Sequence, residues 1–100
     1  MVKLDDNGIE RFRGKPLSSL EGIIDEIQLF PLFAAESRLI RDGFEGGLPY
    51  YVAMQYHLKG KLQREIGEEL GLHQTNISDI MKYWGIPSMT QSERREHFGG

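Results

Sequence analysis

The apolar residues of this 100-residue chain recur at helical spacing, and no stretch shows the period-two alternation of a strand. That pattern constrains the fold more than any other feature, because apolar residues spaced near 3.6 cannot line one face of a sheet. Glycines and prolines punctuate the apolar stretches and mark where helices stop. The expectation is an all-α fold. Hydrophobic residues make up 39% of the chain, enough for one modest core, and 100 residues leave room for one domain.

Residues 1–16 are polar, end in Gly14-Lys15-Pro16 and read as an N-terminal arm. Ser18 stands three residues before Glu21, the spacing of a capping box. Leu20, Ile23, Ile24 and Ile27 follow at helical spacing and predict a helix over 19–29, which Pro31 breaks or restarts. A second helix is expected over 32–42, with Leu32, Phe33, Leu39 and Ile40 apolar and Gly43 ending it. After a loop at 43–48, Pro49 suits the first turn of a helix over 49–59, which Gly60 ends. Short helices over 62–70 and 74–84 flank Gly71-Leu72-His73, and the Thr90/Glu93 pair predicts a last one over 91–97. The chain divides into the arm (1–16), a helical segment (17–48) and a C-terminal region (49–98).

Composition narrows the function classes. The absence of cysteine removes disulfides, thiolate zinc sites and cysteine nucleophiles together. No apolar run approaches the ~20 residues that span a bilayer, and MVKLDDNGIE has acids where a signal peptide needs its apolar stretch. A soluble, cytoplasmic protein without a membrane partner is expected. Residues 1–56 carry six Lys/Arg against nine Asp/Glu, whereas residues 57–100 carry six against six. The whole net charge of −3 therefore lies in the first half, and an anionic partner is expected to meet the second. His57, His73 and His97 match no metal-ligand spacing and read as solvated. No nucleophile elbow, P-loop or dinucleotide fingerprint is present. Glu65, Glu68 and Glu69 read as a solvated helix face. No catalysis, metal or cofactor is expected.

The informative stretch is QREIGEELGLHQTNISDI, residues 63–80. Two short helices meeting at about 90–120° need a small residue at their close approach and a left-handed residue in the turn. Gly67 and Gly71 stand at those places, and Leu72 tucks the turn into the core. Ile66 and Leu70 form the inner face of the first helix; Ile77, Ile80, Met81 and Trp84 form that of the second. Gln63, Gly67, Gly71, Ile77 and Ile80 thus fall in a spacing that resembles the helix-turn-helix of DNA-binding proteins. The similarity is closest to the line of bacterial sigma-factor C-terminal domains and small transcriptional regulators. It runs from an aromatic-rich Tyr56-His57-Leu58-Lys59-Gly60 through Gln63-Arg64-Glu65-Ile66-Gly67 and Leu70-Gly71-Leu72 to Gln74-Thr75-Asn76-Ile77-Ser78. Two positions depart from that pattern. Leu62 occupies the place of the usual Ser or Thr cap, whose loss costs about 1 kcal/mol, so the first helix is expected to start nearer Lys61. Asp79 stands where a basic residue is more usual.

The resemblance implies a tri-helical helix-turn-helix core, with extra N-terminal helices, that binds double-stranded DNA as a small transcriptional regulator. Gln74, Thr75, Asn76, Ser78 and Asp79 would then reach base edges; Gln and Asn can each bond adenine twice, and Thr can pack on a thymine methyl. Lys59, Lys61, Arg64 and Lys82 would hold phosphates, adding affinity without sequence information. Asp79 is expected to pair with Lys82, and Trp84 to be core. Residues 17–48 carry more apolar content than an arm needs, so a homodimer is the expected use, with docking of another protein as the alternative. The Gly85-Ile86-Pro87 segment running to Glu93 is similar to one that follows helix-turn-helix repeats in mobile-element endonucleases, although Met89 replaces a basic residue. A DNA-targeting module of a mobile-element recombinase or endonuclease, or a helix-turn-helix used for protein docking, are the other readings.

Overall fold

Six helices occur among residues 3–99, the part of the chain that the computed structural model describes, and no strand is formed among them. They are α1 (Asp6–Glu10), α2 (Glu26–Arg41), α3 (Leu48–His57), α4 (Gln63–Leu70), α5 (Gln74–Trp84) and α6 (Gln91–Phe98), with a 3-10 turn at Leu17–Leu20. The expected all-α class holds. No helix among the described residues is long and apolar enough to cross a membrane.

Helix α3 is the hub, packing against α1, α2, α4 and α5. Its start is set by Pro49 in the first turn and by Glu36 of α2, whose carboxylate accepts from the Leu48 N–H at 2.9 Å. That N–H is one of the first-turn amides left without an intrahelical partner, so the carboxylate caps from a distance. Leu48, Val52 and Ala53 are fully buried, and the buried apolar side chains form one cluster running from Ile9 to Met89.

The N-terminal half departs from the sequence-based expectation in three places. Residues 3–16, read as an arm, carry a helix and pack on the core; residues 1 and 2 lie outside the described residues. Asp5 caps α1 by accepting from the Gly8 N–H at 2.7 Å, and Ile9 and Phe12 enter the core. The helix expected over 19–29 forms only from Glu26 onward, as the start of α2. Gly22 adopts φ +84° and separates the 3-10 turn from α2, while Ser18 and Glu21 form no capping box: the Glu21 N–H instead donates to the Ser18 carbonyl. Finally, α2 runs unbroken through Pro31. An interior proline costs about 3 kcal/mol. Burying a leucine side chain stabilises by about 1.5–3 kcal/mol, and Leu29, Leu32 and Leu39 all reach the core from this one helix. Continuity wins.

The end of α3 ties distant segments together. The Tyr56 hydroxyl accepts from the Met89 N–H at 2.8 Å and donates to the Met89 carbonyl at 3.3 Å. His57, expected to be solvated, is fully buried. Its Nδ1 accepts from the Leu4 N–H at 3.1 Å, and its Nε2–H donates to the Pro87 carbonyl at 2.7 Å. Burial pushes its pKa below the ordinary value, only partly offset by the Pro87 bond, and the charges of Lys3 and Arg94 push it further down. A neutral imidazole with both nitrogens satisfied is the form this site holds.

Candidate nucleic-acid interface

Among the described residues, helices α4 and α5 share the most extensive helix–helix contact. Their geometry follows from two glycines. Gly71 takes a left-handed conformation (φ +70°, ψ +27°), and the Leu72 N–H returns to the Gly67 carbonyl at 2.7 Å. This bond satisfies a free carbonyl at the end of α4 and folds Leu72 back onto it. The same arrangement ends α5, where Gly85 is left-handed and the Ile86 N–H reaches the Met81 carbonyl at 2.8 Å. Gly67 marks the close approach: a Cβ there would lie 2.7 Å from the Leu72 carbonyl oxygen. The expectation of a small residue at this crossing is met, and the obstacle is backbone.

Helix α4 begins at Gln63 instead of near Lys61. Leu62 stands at the cap position, where its side chain offers no acceptor, but the Glu65 carboxylate reaches back to the Leu62 N–H at 2.9 Å. Half a capping box is enough to fix the start. At α5 the cap is His73, whose Nδ1 accepts from the Thr75 N–H at 3.2 Å and bonds the Thr75 hydroxyl at 2.9 Å. Asn76 completes it by accepting from the His73 N–H at 3.0 Å.

These bonds sort the residues assigned to base contact. Gln74, Thr75 and Ser78 are exposed on the outer side of α5, with Lys82 one turn beyond. Asn76 is half-buried with its side-chain oxygen committed to the cap, and Asp79 is half-buried as well. The expected Asp79–Lys82 pair is not formed; among the described residues the ion pairs are Arg13–Glu10 and Lys61–Glu69. Inside the pair, Ile77 and Ile80 are fully buried and Met81 nearly so. Trp84 is half-buried against the core instead of within it.

The four assigned cations are placed unequally. Arg64 is exposed on the first turn of α4 and Lys59 is exposed beyond α3. Lys61 is held by Glu69 at 2.7 Å, and Glu69 also accepts from the Tyr51 hydroxyl at 3.1 Å. Two of the three glutamates read as a solvated face therefore have fixed partners, Glu65 in the cap and Glu69 in this network. Burial, followed by the bond to Glu69, pushes the Tyr51 phenol up to about 12.

A cleft of about 440 Å³ opens beside the start of α5, lined by Gln63, Arg64, Gln74, Ser88 and Arg94, with Tyr56, Leu62 and Met89 completing its wall. A second hollow adjoins it, sharing Leu62 and Arg94 and adding Lys59, Gly60, Gln91, Arg95 and Phe98. Arg94 was not among the assigned residues. It donates to the Gly60 carbonyl and stands over the rings of Tyr56 at 5.0 Å and Phe98 at 5.8 Å. The Thr90/Glu93 cap signalled the helix that carries Arg94, but its place beside Arg64 depends on how Tyr56 and His57 dock residues 87–89. Together the clefts form a furrow edged by cations and amides, chemistry suited to an anionic, hydrogen-bonding partner. No family model, no curated protein and no solved structure matches this chain.

Proposed function

We propose that α4 and α5 form a helix-turn-helix and that the chain binds double-stranded DNA sequence-specifically, as a small transcriptional regulator. The observation that carries this reading is the outer face of α5. Gln74, Thr75 and Ser78 project hydrogen-bonding groups from its first turns, directly beside a cleft edged by Arg64. In this arrangement the start of α5 enters the major groove, where Gln74 can bond an adenine edge twice. Arg64, Lys59 and Lys82 lie along the flanking backbones and hold phosphates, fixing register without reading sequence. Asn76 serves chiefly to cap α5 and the Thr75 hydroxyl is shared with His73, so the reading falls to Gln74 and Ser78, to the methyl of Thr75, and to Asp79 at the margin. No cofactor enters this function, because recognition is positioning and hydrogen bonding.

Selection of bound sequences from a random duplex pool tests the reading. Enrichment of a defined site is expected, and Gln74→Ala should cost about 1–3 kcal/mol of discrimination at one base position while sparing nonspecific binding. A pool that returns no consensus, or a Gln74→Ala/Thr75→Ala protein with the parent's preference, would rule out α5 as the reader.

A further inference from the structure

Helix α2 is apolar on both sides. Leu29, Leu32, Ala35 and Leu39 face the core, yet Ile27 is 86% exposed and Phe30 75% exposed on the opposite side. Ile23, just before the helix, adds a third large apolar side chain at 61% exposure. The outer stripe continues along the helix as Ile27, Phe30, Ala34, Ser37 and Arg41, at alternating spacings of three and four. That is the seam by which one helix packs lengthwise on another. Its large residues lie at the start, its small ones in the middle and its cation at the end.

The charges along α2 have the same polarity. Glu21 and Asp25 are exposed at its start, and the Asp25 carboxylate makes no cap bond. Arg41 is exposed at its end without an ion-pair partner among the described residues. Arg38, also exposed, donates to the Leu70 carbonyl at 3.4 Å and adds to the positive end, and Asp42 lies about a quarter-turn off the stripe.

We propose that this face docks a second copy of the chain, with the two α2 helices antiparallel about a twofold axis near Ala34. Seven residues separate Ala34 from Ile27 and from Arg41, so the axis sets Arg41 of each copy beside Ile27 and Asp25 of the other. The arginine stem lies along the isoleucine while its guanidinium reaches the carboxylate. Phe30 of each copy falls over the Ala34 and Ser37 positions of the other, a large side chain against small ones. A parallel pairing would set acid against acid and Phe30 against itself. The face complements its own reverse, which is the requirement of an isologous dimer.

Sedimentation velocity of the full chain, without nucleic acid, tests this independently of the DNA reading. The parent should sediment at twice the chain mass and dissociate on dilution. Phe30→Asp should sediment as a monomer with an unchanged helical circular dichroism spectrum. Asp25→Arg and Arg41→Asp should each weaken association by roughly tenfold, since symmetry breaks two pairs at once, and their combination should restore it. A parent that stays monomeric up to about 1 mM, the limit of weak association, would assign the face to a different partner and overturn the proposal. So would a dimer that survives Phe30→Asp, or a charge swap that fails to restore association.

Discussion

Helices α5 and α2 bury their inner faces in the same way but show water opposite chemistries. On α5, Ile77, Ile80 and Met81 are inside, and the outer side carries Gln74, Thr75, Ser78 and Lys82. On α2, three leucines are inside, and the outer side carries Ile27 and Phe30. A polar face keeps its hydrogen bonds with water until a partner offers equally well-placed ones, so it favours discrimination. An apolar face gains simply by leaving water, so it favours association. The contrast is the one expected if the two proposals hold, with α5 facing nucleic acid and α2 facing a second copy.

Truncating an inner residue on one helix and an outer residue on the other gives the sharpest test of that contrast. Ile77→Ala should destabilise by about 2–5 kcal/mol, because it opens a cavity between α4 and α5. Ile27→Ala should shift the stability of the monomer by no more than about 0.5 kcal/mol. Equal urea midpoints for the two variants would remove the contrast between an inner and an outer face. Gly67→Ala comes next. Alanine gains about 1 kcal/mol in helix propensity, but its Cβ meets the Leu72 carbonyl oxygen, and overpacking of this kind costs about 1–3 kcal/mol. A net loss is expected, read as a lower melting temperature; a gain would show that the α4–α5 turn can yield.

The smallest effect is a pH dependence. The His57 imidazole has its pKa lowered in the folded chain by burial, whereas in the unfolded chain it protonates near its ordinary value of 6.5. As pH falls below 6.5 the unfolded state takes up the proton first, so stability declines with acid and levels off only below the folded pKa. His57→Gln should be less stable at neutral pH and should show a shallower decline between about pH 7 and pH 5. Identical slopes in parent and variant would mean that His57 does not carry the pH dependence.

The α4–α5 unit was legible in the sequence because its determinants are local. Gly67, Gly71, Leu72 and the buried isoleucines lie within 15 residues, and the backbone bonds that use them span five or fewer. In the N-terminal half the deciding quantities are not local. Pro31 argues for a break, and only the core lying beneath Leu29, Leu32 and Leu39 reverses that argument. Gly22 was a usable signal against a helix over 19–29, and Asp5 with Ile9 and Phe12 was one for α1. His57 had none: its partners lie 53 and 30 residues away. At the candidate interface, residue types marked the polar face of α5, but the capping role of Asn76 and the capture of Lys61 by Glu69 required the folded chain.

The two bonds of His57 also close the chain on itself. Leu4 and Pro87 grip opposite nitrogens of one ring, so α1 through α5 all lie within a loop whose clasp is a single side chain. The opening residues of a domain ordinarily fray and exchange their amide hydrogens at once. The Leu4 amide is released when its bond to the imidazole opens, and the same ring is one of two side chains, with Tyr56, that hold the segment between α5 and α6. Protection of the Leu4 amide therefore reports on the state of a ring that also holds a segment more than 80 residues further along the sequence.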